Sequence, residues 1–246
     1  MHAIAYVTLM GLAAGVVGTG AGSTATAMVG APSRRVLSVL MGLAGGVMLS
    51  VVFLDLVPES IEIGGLLFAI AGFVLGIGAT AMVDLLTPHF HAISGDCENS
   101  RYLRASLLTG IGIAMHNLPE GLAIGASYAH GSSLGFSVAL TIALHNIPEG
   151  MAMAAPMCAA RLRPARIAMW GGVAGLPMAV GALIGVAIGG VSPAVLASCL
   201  GFAGGAMVFI TADELIPDAQ EFAVGHSGTF GIVLGVLAGM LLVYAS

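Results

Sequence analysis

Two six-residue strings, His116-Asn-Leu-Pro-Glu-Gly121 and His145-Asn-Ile-Pro-Glu-Gly150, each set an imidazole and a carboxylate four residues apart. On a helix, residues i and i+4 share a face, so His116 with Glu120 forms one half-site and His145 with Glu149 another. Two antiparallel helices facing one another would then present four ligands. Neutral imidazole with carboxylate suits Zn²⁺, and also Fe²⁺, Mn²⁺ or Cd²⁺; the donor set alone does not choose among them. Asn117 and Asn146 offer amide oxygens to the same site. Pro119 and Pro148 lack an N–H and clash with the carbonyl four residues back, which predicts a kink in each helix and frees the carbonyls of Met115 and Leu144 beside the ligands.

Both strings lie near the centres of apolar stretches long enough to cross a bilayer. There an ionisable side chain costs about 2.5–3.5 kcal/mol on insertion scales, so it persists chiefly where it is paired or functional. Hydrophobic residues make up 58% of the 246 and charged residues only 8%, against about a quarter charged in soluble domains; the composition is that of an integral membrane protein. Seven Arg with no Lys and a net charge of -5 give no support to nucleic-acid binding. Cys97, Cys158 and Cys199 are widely spaced without a CxxC pair, so neither a disulfide framework nor a thiolate metal cluster is expected. The opening Met-His-Ala-Ile-Ala-Tyr has no basic segment and its apolar run is too long for a cleaved signal peptide, which makes it the first span.

Hydropathy and charge breaks predict eight transmembrane helices, at about 3–29, 36–57, 63–86, 102–128, 133–159, 167–190, 194–217 and 226–246. Each has about 20 residues or more, enough for a hydrocarbon core of about 30 Å. Arg34 and Arg35, Arg101 and Arg104, and Arg161, Arg163 and Arg166 then fall in the segments after spans 1, 3 and 5, all on one side. The positive-inside rule makes that side cytoplasmic, so both termini face outward from the inner membrane. A miscounted span would scatter the arginines over both faces. Glycines four apart, among them Gly42/Gly46, Gly121/Gly125, Gly181/Gly185 and Gly201/Gly205, let helix backbones approach where no hydrophobic effect drives association, and are assigned to packing.

Gly42-Leu-Ala-Gly-Gly-Val-Met48 and Asp55-Leu-Val-Pro58-Glu59 in span 2 reappear in span 7 as Gly201-Phe-Ala-Gly-Gly-Ala-Met207 and Glu214-Leu-Ile-Pro217-Asp218, always 159 positions later. An odd number of crossings separates spans 2 and 7, so the two copies run in opposite directions. The predicted fold is an all-α integral membrane protein of eight transmembrane helices. It is a single domain over 1–246, with an inverted repeat of spans 1–3 and 6–8 around a central pair, 4 and 5. Many secondary transporters share this plan and bind substrate near the midplane, where the repeats meet. No G-x-x-x-x-G-K-(S/T) string supports an ATP-driven pump.

Acids at the ends of the repeat helices mark a candidate path for a dication: Asp55, with Glu59 and Glu62, on the outer side, and Asp213 and Glu214, with Asp218 and Glu221, on the inner. The cytoplasmic loop 87–101 follows Asp84 and carries His89, His91, Asp96 and Cys97, which could catch a metal leaving that path. Met48 is a candidate auxiliary ligand. Met115, Met151, Met153 and Met207 invite a Cu(I) reading, but no intramembrane Cys-Met cluster accompanies them. His2, His130 and His226 fall at span ends and are read as interfacial.

The hexapeptides, in spans 4 and 5, resemble the signature of the ZIP (zinc/iron-regulated transporter-like) metal transporters, closest to a prokaryotic branch with histidine in both motifs. The likeness extends to the span 2 Gly-Val-Met string, the His-bearing loop after span 3 and the span 7 Glu-Leu-Ile-Pro string. It implies import of Zn²⁺ or a similar dication into the cytoplasm through a metal site, often binuclear, on spans 4 and 5, with an elevator-like movement of one helix bundle against another. Carried over by motif, His116, Asn117, Glu120, His145, Asn146 and Glu149 become the ligand set, with Glu149 as the bridge. Relatives often carry a Glu in span 6, in a Gly-Leu-Ala-Glu-Pro-like string, that serves the second metal position. This chain reads Gly175-Leu-Pro-Met178, with no acid, His or Asn in that span. The resemblance then implies a weakened second position or transport of one metal at a time. Transported Zn²⁺ or a similar divalent metal is the bound species, with no prosthetic group expected. The partners are that metal and the lipid bilayer, with a homodimer left open. The rival from another class is a membrane-embedded zinc-dependent hydrolase, which would want an HExxH-like string or an open three-ligand site with a substrate cleft, none of which is legible.

Overall fold

The computed structural model describes the backbone of residues 2–30, 32–86, 98–189 and 192–245, and their side chains except at 2, 83, 84, 86, 98–109, 112, 116, 189 and 245. The regular structure of the described residues is helical throughout, without strands.

Helix α1 runs His2–Val29. Ser33 caps α2, Arg34–Val51, its hydroxyl accepting from the Val36 amide at 3.3 Å. The helix then widens into a π-helical segment, Val52–Leu56, and continues as α3, Val57–Gly64. Pro58 explains the widening: it has no N–H for the carbonyl four residues back, and the wider turn lets the Val57 amide reach Val52 instead. Gly65, at φ +85°, ends α3 in a conformation that side chains disfavour, and α4 follows over Leu66–Leu86. Next come α5, Glu98–His130, and α6, Ser132–Ala159. Leu176 separates α7, Pro164–Gly175, from α8, Pro177–Gly189. The chain ends with α9, Pro193–Ile210, a second π-helical segment, Thr211–Leu215, then α10, Ile216–Glu221, and α11, Ser227–Ala245.

The landmarks of 33–58 recur 159 positions later. Ser192 caps α9 as Ser33 caps α2, and Pro217 follows the second π segment as Pro58 follows the first. Two buried hydrogen bonds tie the copies reciprocally: the Ser38 hydroxyl donates to the Ala219 carbonyl and the Ser60 hydroxyl to the Ala197 carbonyl, both at 2.7 Å. Positions 38 and 60 are the counterparts of 197 and 219.

Packing divides the helices into two groups. One holds α1, α5, α6, α7 and α8; the other holds α2, α3, α4, α9, α10 and α11; they meet mainly where α5 lies on α9 and α2 on α6. Within each group glycine sets the approach. Gly46 lies against the Ile232 carbonyl, Gly205 against that of Phe73, Gly22 against that of Ile147 and Gly181 against that of Leu118, each too close for a Cβ. Small residues are the expected contact where lipid removes any hydrophobic drive between helices.

Ala3–Val29, Arg34–Gly64, Pro164–Ile188, Pro193–Glu221 and Ser227–Tyr244 are each long and apolar enough to cross a membrane, and Leu66–Met82 is a shorter apolar helix. The outward faces are themselves apolar: Phe230, Leu234, Leu237 and Leu241 of α11 and Leu67 and Leu75 of α4 are all more than half exposed, as contact with lipid requires. The 28-residue α6 is long enough as well, but its hexapeptide dilutes its apolarity.

Helices α5 and α6 run through Pro119 and Pro148 without a break, so the predicted kinks interrupt neither. Neighbouring helices hold a proline-bearing helix together at membrane depth, and α8 on α5 and α1 on α6 are among the tightest contacts in the fold. The regular α-helical pattern is interrupted ahead of Pro58, Pro217 and Pro177.

Candidate metal centre

Only Gly131 separates α5 from α6, and the chain reverses there into a tight antiparallel hairpin. A Cβ on Gly135 would come within 2.5 Å of both the Cα and the Cβ of Tyr128, so glycine is what lets the hairpin close. That register sets His145 beside Glu120. His145 Nε2 lies 2.9 Å from Glu120 Oε1 and 3.8 Å from Glu149 Oε1. All three residues are 0% exposed. One ligand atom from each falls within 4.8 Å of the others, the one such group of His, Cys, Asp or Glu among the described residues.

Two carboxylates this close repel: unit charges 4 Å apart interact by about 4 kcal/mol at an effective dielectric of about 20. A dication between them reverses the sign of that term, and an imidazole nitrogen and two carboxylate oxygens are donors that Zn²⁺ takes.

Asn146 sharpens the case. One heteroatom of its side-chain amide lies 3.0 Å from Glu149 Oε2 and 3.2 Å from Glu120 Oε2. With no cation between the carboxylates, the nitrogen belongs there, donating to both. Around a dication the amide oxygen belongs there, as a further ligand. Asn117 is fixed differently. Pro177 has no N–H for the end of α7, the last turn closes through the Leu176 amide on the Val173 carbonyl, and the Ala174 carbonyl accepts from Asn117 Nδ2 at 2.7 Å. That bond leaves Asn117 Oδ1 buried and without a donor among the described residues.

Other sequence-predicted residues fall in several places. Asp55 is half-buried and close enough to His145 to interact with it electrostatically. Met48 is fully buried, but its sulfur already accepts from the Thr211 hydroxyl at 3.1 Å, across from α2 to the second π segment. Of the inner acids, Glu214 is half-buried whereas Asp213 is exposed, so the two do not share one environment. His116 lies on α5 one turn before Glu120, with its side chain outside the described residues, as is that of Asp84 on α4. His89, His91, Asp96 and Cys97 lie outside the described residues altogether.

Sequence reasoning treated Met178 only as a missing acid. In the fold it is 0% exposed with its sulfur 4.0 Å from the Asn146 amide. The signal that could have found it is its place just after Pro177, at the head of a new helix.

Residues 91–246 match a family described as ZIP Zinc transporter. The chain is 33% identical over 222 residues to the "Zinc transporter ZupT" of Salmonella newport (strain SL254) and of Salmonella heidelberg (strain SL476), with 86% of each chain covered. It is 32% identical to that of Enterobacter sp. (strain 638), at the same coverage. The match takes in the hairpin with both hexapeptides, and the chain accordingly belongs to the ZIP zinc transporter family, on its prokaryotic branch: a multi-pass membrane transporter of metal ions, not an enzyme.

Proposed function

We propose that the protein imports Zn²⁺ into the cytoplasm, holding it between α5 and α6 on Glu120, His145 and Glu149, with His116, Asn117 and Asn146 completing the ligand set. The buried Glu120–His145–Glu149 cluster carries this reading, because it converges negative charge and a nitrogen donor at a spacing that a dication resolves. In the antiparallel register that pairs Glu120 with His145, position 116 falls opposite Glu149, which makes the second hexapeptide the partner of the first. The names of the similar proteins point to zinc as the cargo; Fe²⁺, Mn²⁺ and Cd²⁺ enter as competitors.

Eight crossings with both termini outside, the repeat inverted across the membrane, are part of the proposal. Arg34 supports the sidedness: its guanidinium donates to the Glu221 carbonyl at 3.2 Å and lies 6.0 Å over the Phe222 ring, bringing the start of α2 and the end of α10 to one side. Glu59 of α3 interacts electrostatically with His130, which puts the end of α5 on the same side as α3. The ion enters past Asp55 and leaves past Glu214. Alternating access comes from the group containing α5 and α6 moving, elevator-like, against the group containing α2 and α9.

The test is saturable Zn²⁺ uptake into proteoliposomes, with metal competition and with and without a pH gradient. No uptake above protein-free vesicles, or turnover of lipid or peptide without metal flux, would overturn the reading. Because ligating imidazoles must be deprotonated, zinc affinity measured by titration calorimetry should fall as pH drops through about 6.5, the ordinary histidine value. An affinity flat from about pH 7.5 to 5.5 would argue against histidine ligation.

A further inference from the structure

Met178 approaches the proposed site from a third helix. The break at Leu176 starts α8 beside the hairpin, and the Met178 carbonyl lies against Gly121, the residue after Glu120, too close for a Cβ. The side chain turns inward and is 0% exposed, with Sδ 4.0 Å from one heteroatom of the Asn146 amide. The other heteroatom of that amide is the one that faces Glu120 and Glu149. A single planar amide thus lies between a thioether on one side and two carboxylates on the other.

This arrangement bears on which cations the site prefers. Carboxylates attract every dication, hard or soft, so they discriminate little among them. A thioether is uncharged and polarisable; it adds to the binding of soft cations and almost nothing to that of oxygen-seeking ones such as Mn²⁺. Methionine has three rotatable bonds, so its sulfur can close the remaining gap to an ion seated against Asn146. We propose that Met178 is a specificity-determining residue of the transport site, whose thioether biases it toward soft dications, Cd²⁺ above Mn²⁺. The proposal rests on the reading of Glu120, His145 and Glu149 as the metal site.

Equilibrium binding of Cd²⁺ and of Mn²⁺ to the purified full-length protein in detergent tests it, comparing wild type with Met178→Leu and Met178→Cys. Leucine has a similar volume and no donor; it should lower the ratio of Cd²⁺ to Mn²⁺ affinity about tenfold, which is about 1.4 kcal/mol. Cysteine returns a sulfur and should recover the wild-type ratio or exceed it. An unchanged ratio in Met178→Leu overturns the assignment, and so does a lowered ratio that Met178→Cys fails to recover. A wild-type protein that binds neither ion overturns the metal site itself along with this inference. A shifted binding ratio in a protein that moves no Zn²⁺ into liposomes overturns transport alone.

Discussion

Glu149→Gln is expected to abolish zinc uptake in proteoliposomes while the protein stays folded. Glu149 and Glu120 are fully buried and bracket His145 within one small cluster. Glutamine keeps the volume and the helix but removes a full negative charge from the place where a doubly charged ion must lose its water. Zinc affinity should drop at least about 100-fold, or about 2.7 kcal/mol. Stability separates loss of the site from loss of the fold. Without zinc, the substitution relieves repulsion between two carboxylates, so the melting temperature should hold or rise. With zinc at about 100 times the wild-type Kd, the wild-type protein gains about 2.7 kcal/mol and the variant at most about 0.4 kcal/mol. Glu120→Ala and His145→Ala should lose uptake too, but each leaves a cavity and a stranded partner, which makes the isosteric change at 149 the cleaner experiment. Wild-type uptake by Glu149→Gln would remove the cluster from the mechanism.

The grouping of His145 with Glu149 was legible in sequence because it rests on a local rule. Histidine and glutamate four apart on a helix must share a face, and His145 does approach Glu149, at 3.8 Å. The link from His145 to Glu120 crosses between helices, yet the duplicated string still pointed to it, since two such faces gain nothing unless they meet. Helical class and lipid-facing composition were legible for a different reason: they are averages over many residues. The effect of proline on helix continuity depends on what surrounds it. Pro119 and Pro148 lie in helices clamped by α8 and α1 and leave them unbroken, whereas the wide turns and the break precede Pro58, Pro217 and Pro177. Met178 and the Ala174 carbonyl reach the site only because the chain breaks at Leu176, and no periodicity in the sequence announces that break.

Glycine shows the same limit, and a pair of substitutions makes it measurable. Gly121 and Gly78 both sit in apolar, glycine-rich helices; the spacing to Gly125 marks Gly121 for packing, but nothing in the sequence says which helix packs there or how closely. In the fold they differ completely. A Cβ on Gly121 would meet the Met178 carbonyl and lie 2.9 Å from the Ala182 amide nitrogen, backbone atoms that cannot rotate away; a Cβ on Gly78 would meet nothing within 4 Å. Gly121→Ala must therefore push α8 off α5, and it should destabilise the detergent-solubilised protein by about 3 kcal/mol, the upper end for overpacking. The damage should also reach the metal, because α8 carries Met178 and the turn before it holds Asn117 through the Ala174 carbonyl; zinc uptake should fall with stability. Gly78→Ala should be neutral or stabilising by up to about 1 kcal/mol, since alanine loses less chain entropy than glycine in a helix. Thermal unfolding of the two variants side by side decides the matter. Equal melting temperatures would mean that α5 and α8 can separate without consequence, and that the hexapeptide's terminal glycine is not what seats the third helix against the site.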